Sequence, residues 1–366
     1  MGRFCLISFC NLYMLPYAKT YIDAICNSGN SCTLLFWDRD AVNGNNDYYP
    51  ECEKICYQMK LTPKTSRFKK MIGYLKSSSF FKKVLNKENF SGLIFLQTHV
   101  AIFCDRTLKK KYAKKYIVDI RDYMLEGYSY FYNIEKRVLT NSFANIISSP
   151  AYTKFLPKGD YVLAHNLKLF DKKTIESIRN RKKSRETINI SFIGTIRFIQ
   201  MDKKVLSLFA NDLRFNINYF GAGSDVLETW AKHNNIQNAS FSGPFKPEDT
   251  SVLYQKTDII NNLYGSNSPY LDYALSNKLY HSIQFNMPIL VCPNTYMAAI
   301  TEKYGIGFVF DFDDPFIKEK LVEWYKNLDF NLTKKQCDIL LKRVIEENNS
   351  FIATIERFLN SDFNKQ

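Results

Sequence analysis

Apolar residues along this chain fall into short continuous runs, separated by longer stretches with helical spacing. In the first half the runs are Phe4–Phe9, Thr33–Trp37, Gly92–Leu96, Tyr116–Ile120, Ile146–Ser148 and Tyr161–Ala164. Pro16 stands at a helix start, Tyr17–Cys26 carries helical spacing, and Asn27–Asn30 with Gly29 is a stop signal. Strand-length runs without polar alternation predict parallel strands covered on both faces, joined by helical crossovers. A polar segment, Asn166–Thr187, then reads as a helix plus linker, and the pattern restarts. Ile188–Ile193, Phe215–Phe220, Ser240–Phe241, Asp258–Asn261, Pro288–Val291 and Gly307–Phe310 are expected strands. Helices are expected after Gly194-Thr195 as far as Ala210 and over Asn277–Gln284. The expected organisation is an α/β domain over 1–170, a second over 187–335, and a C-terminal helical segment over 336–366 able to cross back to the first.

Charge changes this picture because it divides unevenly. Residues 1–186 hold 32 Lys+Arg against 16 Asp+Glu, whereas residues 187–366 hold 18 against 20. A basic first half beside a neutral second half points to an anionic partner for the first half: nucleic acid, an anionic membrane surface or a phosphorylated substrate. Within it, Phe68, Met71, Ile72 and Leu75 share one helical face, with Lys69, Lys70, Lys76, Lys82 and Lys83 mostly off that face. That pattern fits either a helix lying on lipid headgroups or one packing on its own domain. Lys109-Lys110-Lys111 with Lys114-Lys115 form a second cluster, and Arg179, Arg181, Lys182, Lys183 and Arg185 read as an exposed charged linker.

Composition mostly excludes. The 366 residues suggest about two domains, and 46% hydrophobic with 23% charged residues is globular composition. Nine cysteines, an odd number, do not read as a disulfide framework, and Cys52 with Cys56 lacks a second ligand pair nearby, so free thiols are expected. The N-terminal run turns polar by Asn11 and no apolar run reaches the ~20 residues of a membrane span, so a cytoplasmic protein is expected. There is no P-loop, no HExxH and no GxGxxG, and His99, His165, His233 and His281 lack metal-ligand spacing. No nucleic-acid-binding motif accompanies the basic charge, so a nucleic-acid partner is not expected.

Ligands of open α/β sheets bind beyond the carboxyl ends of the strands. Candidates in those positions are Gly194, Thr195 and Arg197, with Lys203 at the next helix; Gly221 and Gly223; Gly243 and Pro244; and Ser276, Asn277, Lys278, Leu279 and His281. Glycines let a ligand approach the backbone, and Arg with Lys can neutralise a diphosphate. In the first half, Asp119, Arg121 and Asp122 follow an expected strand, and a local ion pair is the alternative to a reactive role. His99, His165 and Trp37-Asp38-Arg39 sit in similar positions.

In that order, "ISFIGTIR" with its lysine, "NYFGAGS", "FSGPF", "TDIINNLYG", "SNKLYHSIQFNMPILV" and "EKYGIGFVF" resemble the nucleotide-sugar domain of bacterial GT-B glycosyltransferases of the group 1, family 4 type. "CTLLFWDRD", "KYIVDIRDYMLE" and "LAHNL" resemble capsule and surface-polysaccharide members. The resemblance implies a GT-B fold, two Rossmann-like α/β domains facing a central cleft. It implies transfer from a nucleotide-diphosphate sugar, a UDP-sugar being the expected donor, with retention and without metal or other cofactor. The implied acceptor is lipid-linked or a glycan, at the inner face of the plasma membrane. By position, the second-domain candidates would hold the donor, and Asp119, Arg121 or Asp122 would take the place of the family's catalytic histidine. His281 and Tyr273 stand where the family carries its paired glutamates, and Cys10-Asn11-Leu12 and Pro16-Tyr17 replace its first glycine loop. A sugar-nucleotide 2-epimerase of the same fold and a noncatalytic partner subunit are the alternatives.

Overall fold

The computed structural model describes residues 2–40, 47–62, 65–124, 126–181 and 186–361. Lys182, Lys183 and Arg185 of the expected linker, and the last five residues of the expected C-terminal segment, lie outside them. The chain divides into two compact units, residues 1–165 with 346–366, and residues 166–345.

Unit 1 is built on seven strands: β1 (Arg3–Ser8), β2 (Ser31–Asp38), β3 (Glu53–Gln58), β4 (Gly92–Phe95), β5 (Tyr116–Ile120), β6 (Ala144–Ile147) and β7 (Val162–Leu163). Their order is β3-β2-β1-β4-β5-β6-β7, and every pairing is parallel. Burial explains why the apolar runs were legible: β4 and β5 are buried at every position. β3 escapes a hydrophobic reading because it is an edge strand, partly exposed along its length. The final helix, Phe330–Leu359, gives its last turns to this unit, where Phe351, Ile355, Phe358 and Leu359 join the core around Phe4, Tyr21 and Ile22.

The helix Arg67–Lys87 forms where expected but turns a different face inward. Gly73, Ser77, Phe81 and Leu85, each four residues apart, are buried, while Phe68, Met71 and Leu75 are 66%, 51% and 53% exposed. The reason lies on β2: a methyl on Gly73 would stand 2.7 Å from the Trp37 ring, so the bulky indole selects the small stripe. Two lysines of the second basic cluster act as helix stops. Lys111 Nζ donates to the carbonyls of Leu85, Asn86 and Glu88, and Lys114 Nζ to those of Thr140 and Ser142, placing positive charge on carboxyl-terminal helix ends.

Unit 2 holds β8 (Ile188–Ile193), β9 (Phe215–Phe220), β10 (Ala239–Ser242), β11 (Ile259–Asn262), β12 (Ile289–Val291) and β13 (Gly307–Val309) in the order β10-β9-β8-β11-β12-β13, all parallel. Both units are therefore doubly wound Rossmann-like sheets. The expected linker is partly structured: Lys172–Arg179 is a helix whose Ile178 enters the unit 2 core. Arg179 and Arg181 are not the free charges expected of it. Arg179 donates to the Gln284 carbonyl at 2.8 Å and pairs with Asp338 at 2.9 Å, and Arg181 pairs with buried Asp258 at 3.0 Å.

Candidate functional site

The direction of winding reverses in unit 2 between β8 and β11, so the loops after these strands diverge and leave a crevice. After β8 the chain passes through Gly194 at φ +138°, a conformation that glycine tolerates and other residues avoid. A methyl on Gly194 would find only one neighbour within 4 Å, Lys278 Nζ at 3.8 Å. Lys278 lies in the first turn of the helix Asn277–Phe285, where the Ser276 hydroxyl accepts the Lys278 N–H as an N-cap.

Lys278 is 5% exposed and, among the described residues, forms no ion pair with a carboxylate. Its ammonium donates to the Tyr264 hydroxyl at 2.5 Å and lies 3.8 Å from the Phe192 ring centroid. Aromatic faces and one hydroxyl thus hold a buried cation at the open carboxyl end of β8. Asp202, buried on the next helix, feels this ammonium, but burial dominates and lifts its carboxyl to about 6. At the end of β11, Asn262 is buried with its side-chain oxygen unpartnered. A buried cation beside a glycine with free space suits an anionic group, and the Asn262 oxygen can accept a hydrogen bond from a donor elsewhere on the same ligand.

The other sequence candidates divide. Arg197 and Thr195 are exposed in the loop after β8. Lys203 lies 5.5 Å over the Trp230 ring on a neighbouring helix. Gly221 and Gly223 lock loops together: a methyl on Gly221 would fall 2.0 Å from the Gly194 carbonyl oxygen, and one on Gly223 3.3 Å from that of Ile196. Gly243 and Pro244 are exposed beyond the edge strand β10, and Asn277 is exposed. Leu279 is a core residue, 1% exposed, whose side chain packs inside unit 2. His281 is enclosed by Tyr254, Phe170 and Phe285, its Nδ1 is 2.7 Å from the Tyr254 hydroxyl, and burial with Lys278 lowers it to about 4. Tyr264, Asn262 and Asp202 were missed, although two asparagines ending an apolar strand are a signal that β11 ends in a polar site.

In unit 1, two of the three proposed catalytic residues form a buried ion pair. Asp119 is fully buried and meets the Arg121 guanidinium twice, at 2.6 and 2.7 Å, while the Tyr21 hydroxyl donates to it at 2.7 Å. Arg121 also donates to the Ala164 carbonyl and lies over the Tyr17 ring. This ion pair ties the first helix to β5 and to the chain just after β7, the local ion pair that is the alternative to a reactive role. Asp122 is exposed just beyond them. His165 pairs with Glu347 at 2.7 Å within unit 1.

No protein-family model matches the chain, and no curated protein does. Solved structures match in fold. Sucrose-phosphate synthase from Thermosynechococcus elongatus aligns over 100% of both chains at 11% identity, TM-score 0.71. HepE from Anabaena, in complex with UDP, aligns over 96% of this chain and 99% of its own at 7% identity, TM-score 0.66. The lipopolysaccharide outer core galactosyltransferase WaaB aligns over 100% of both at 9% identity, TM-score 0.65. The fold is that of GT-B glycosyltransferases, two Rossmann-like α/β domains.

Proposed function

We propose that the protein is a glycosyltransferase of surface-polysaccharide assembly, with unit 2 holding a nucleotide-diphosphate sugar, a UDP-sugar by expectation. The observation that carries this reading is Lys278, an ammonium buried without a carboxylate partner among the described residues and 3.8 Å from where a methyl on Gly194 would stand in the switch-point crevice. As the bond between sugar and diphosphate breaks, the leaving oxygen keeps the electron pair and negative charge grows on the diphosphate. A preorganised cation held by Tyr264 and Phe192 stabilises that charge more than it stabilises the ground state. Arg197 supplies a second, solvent-facing cation. Transfer with retention, by front-face attack assisted by the leaving phosphate, and without a metal, is part of the same reading.

The basic unit 1 takes the acceptor, lipid-linked or glycan, with Asp122 as its candidate reactive carboxylate. The exposed Phe68-Met71-Leu75 face, flanked by lysines, supports peripheral attachment to an anionic membrane at the inner face of the plasma membrane. Among the described residues no helix is long and apolar enough to cross a membrane.

Calorimetry with UDP, GDP, ADP and CMP, followed by product analysis with the matching sugar nucleotides, tests the proposal. Saturable UDP binding with sugar transfer is expected. Absence of binding by every nucleotide overturns the donor assignment, and binding without transfer to any acceptor favours the noncatalytic subunit.

A further inference from the structure

Unit 1 has its own reversal of winding, between β1 and β4, and the loops beyond β1, β2 and β4 are laced together there. The Gln97 side-chain oxygen accepts the Phe9 N–H at 3.1 Å, and its amide donates to Cys10 Sγ at 2.7 Å. Asn11 accepts the Arg39 N–H at 2.8 Å and donates to Asp40 at 2.7 Å.

Polar groups without partners collect at this junction. His99 is 6% exposed, and neither ring nitrogen has a hydrogen-bond partner among the described residues. The buried Thr98 hydroxyl and the Arg39 Nε are unpartnered too. Among the described residues Arg39 forms no ion pair with a carboxylate; its guanidinium lies 4.8 Å over Trp37 and 5.2 Å over Tyr74, and donates to the Tyr74 hydroxyl at 3.0 Å. Tyr74 also packs on His99, at 5.9 Å between ring centroids, and Phe9 does so at 5.4 Å. Burial and the nearby guanidinium lower His99 to about 3, so its ring is neutral and offers one N–H donor and one acceptor. Buried polar groups rarely go unsatisfied, and a clustered set with an unpaired arginine calls for a ligand that accepts several hydrogen bonds and carries negative charge.

We propose that Arg39, His99 and Thr98 form a binding site for a phosphate group at the β1/β4 switch point of unit 1. As an acceptor subsite it rests on the transferase reading above, and it means that the acceptor carries a phosphate, either on a soluble molecule or in a lipid headgroup. Phosphate binding itself does not depend on that reading.

The test uses the full-length protein saturated with UDP, so that added phosphate does not report on unit 2. With nitrogen-15 histidine labelling, the four imidazoles are followed by NMR as inorganic phosphate, glycerol 3-phosphate or vesicles containing phosphatidic acid are added. A saturable shift confined to His99 is expected, weakened at least tenfold in Arg39→Gln and partly restored in Arg39→Lys. His99→Gln should weaken glycerol 3-phosphate binding severalfold by calorimetry while UDP affinity stays unchanged. A response to glycerol 3-phosphate assigns the site to a soluble acceptor, and a response to vesicles alone assigns it to a headgroup. If wild-type His99 responds to none of the probes, or Arg39→Gln responds equally, the site is refuted. Should UDP fail to bind while phosphate still shifts His99, the donor assignment falls and the phosphate site stands.

Discussion

Replacing Lys278 by methionine separates the function of the unit 2 crevice from its stability. Methionine has similar length and no charge, so it fills the slot between Phe192 and Tyr264 while removing the ammonium beside Gly194. A charge-assisted hydrogen bond to a diphosphate is worth about 1.5–3 kcal/mol, a loss of roughly 10- to 150-fold in UDP affinity. Stability responds the other way. The variant forfeits about 0.5–2 kcal/mol of cation–π attraction. It also removes the cost of burying a charge that, among the described residues, has no carboxylate partner, which offsets that loss. The melting temperature should therefore hold or rise while UDP binding falls. Asp202 gives a second readout: without the neighbouring ammonium its carboxyl, already lifted to about 6, should rise further. Calorimetry with UDP and thermal melts across pH measure all three effects. A folded variant with unchanged UDP affinity refutes the donor role, and a melt lowered by many degrees shows that the ammonium is a structural element.

Asp119→Asn should destabilise by about 3–5 kcal/mol, because it leaves the Arg121 charge buried against a neutral partner; a denaturant midpoint close to wild type would return Asp119 to the catalytic candidates. Asp122→Asn should lower transfer much more than UDP binding, and unchanged turnover removes Asp122 from the reaction. Glu135 is fully buried with both oxygens unpartnered, and burial with nearby Glu126 lifts it from 4.5 to about 8. The folded state therefore holds this proton more tightly than the unfolded one, and stability is lost as pH rises from about 5 through 8; Glu135→Gln should match wild type near pH 5 and exceed it by about 3 kcal/mol at pH 7, whereas a pH-independent difference contradicts the assignment. Replacing Lys69, Lys70, Lys76, Lys82 and Lys83 by glutamine should abolish sedimentation with anionic vesicles, since each charge near the surface is worth about 1 kcal/mol; wild-type protein that stays in the supernatant at low salt rejects the membrane reading.

The sequence by itself determined the two doubly wound sheets. Parallel strands covered on both faces must be continuously apolar, and β1, β2, β4, β5, β8 and β9 are therefore visible as runs, with helical spacing between them. It also located the carboxyl ends where ligands bind, and so brought Gly194 and Lys278 into consideration. It could not reveal β3, whose edge position removes the hydrophobic signal, or the inward face of Arg67–Lys87, which Trp37 on another strand selects. Nor could it separate the ion pair of Asp119 and Arg121 from a reactive set, since a buried pair and a catalytic pair use the same residue types. Only tertiary structure decided that Gly221 closes on the Gly194 carbonyl, that Leu279 is core, and that Lys278 meets Tyr264, 14 residues away. Those outcomes depend on which side chains the folded loops bring within a few ångströms, and spacing along the chain does not encode that distance.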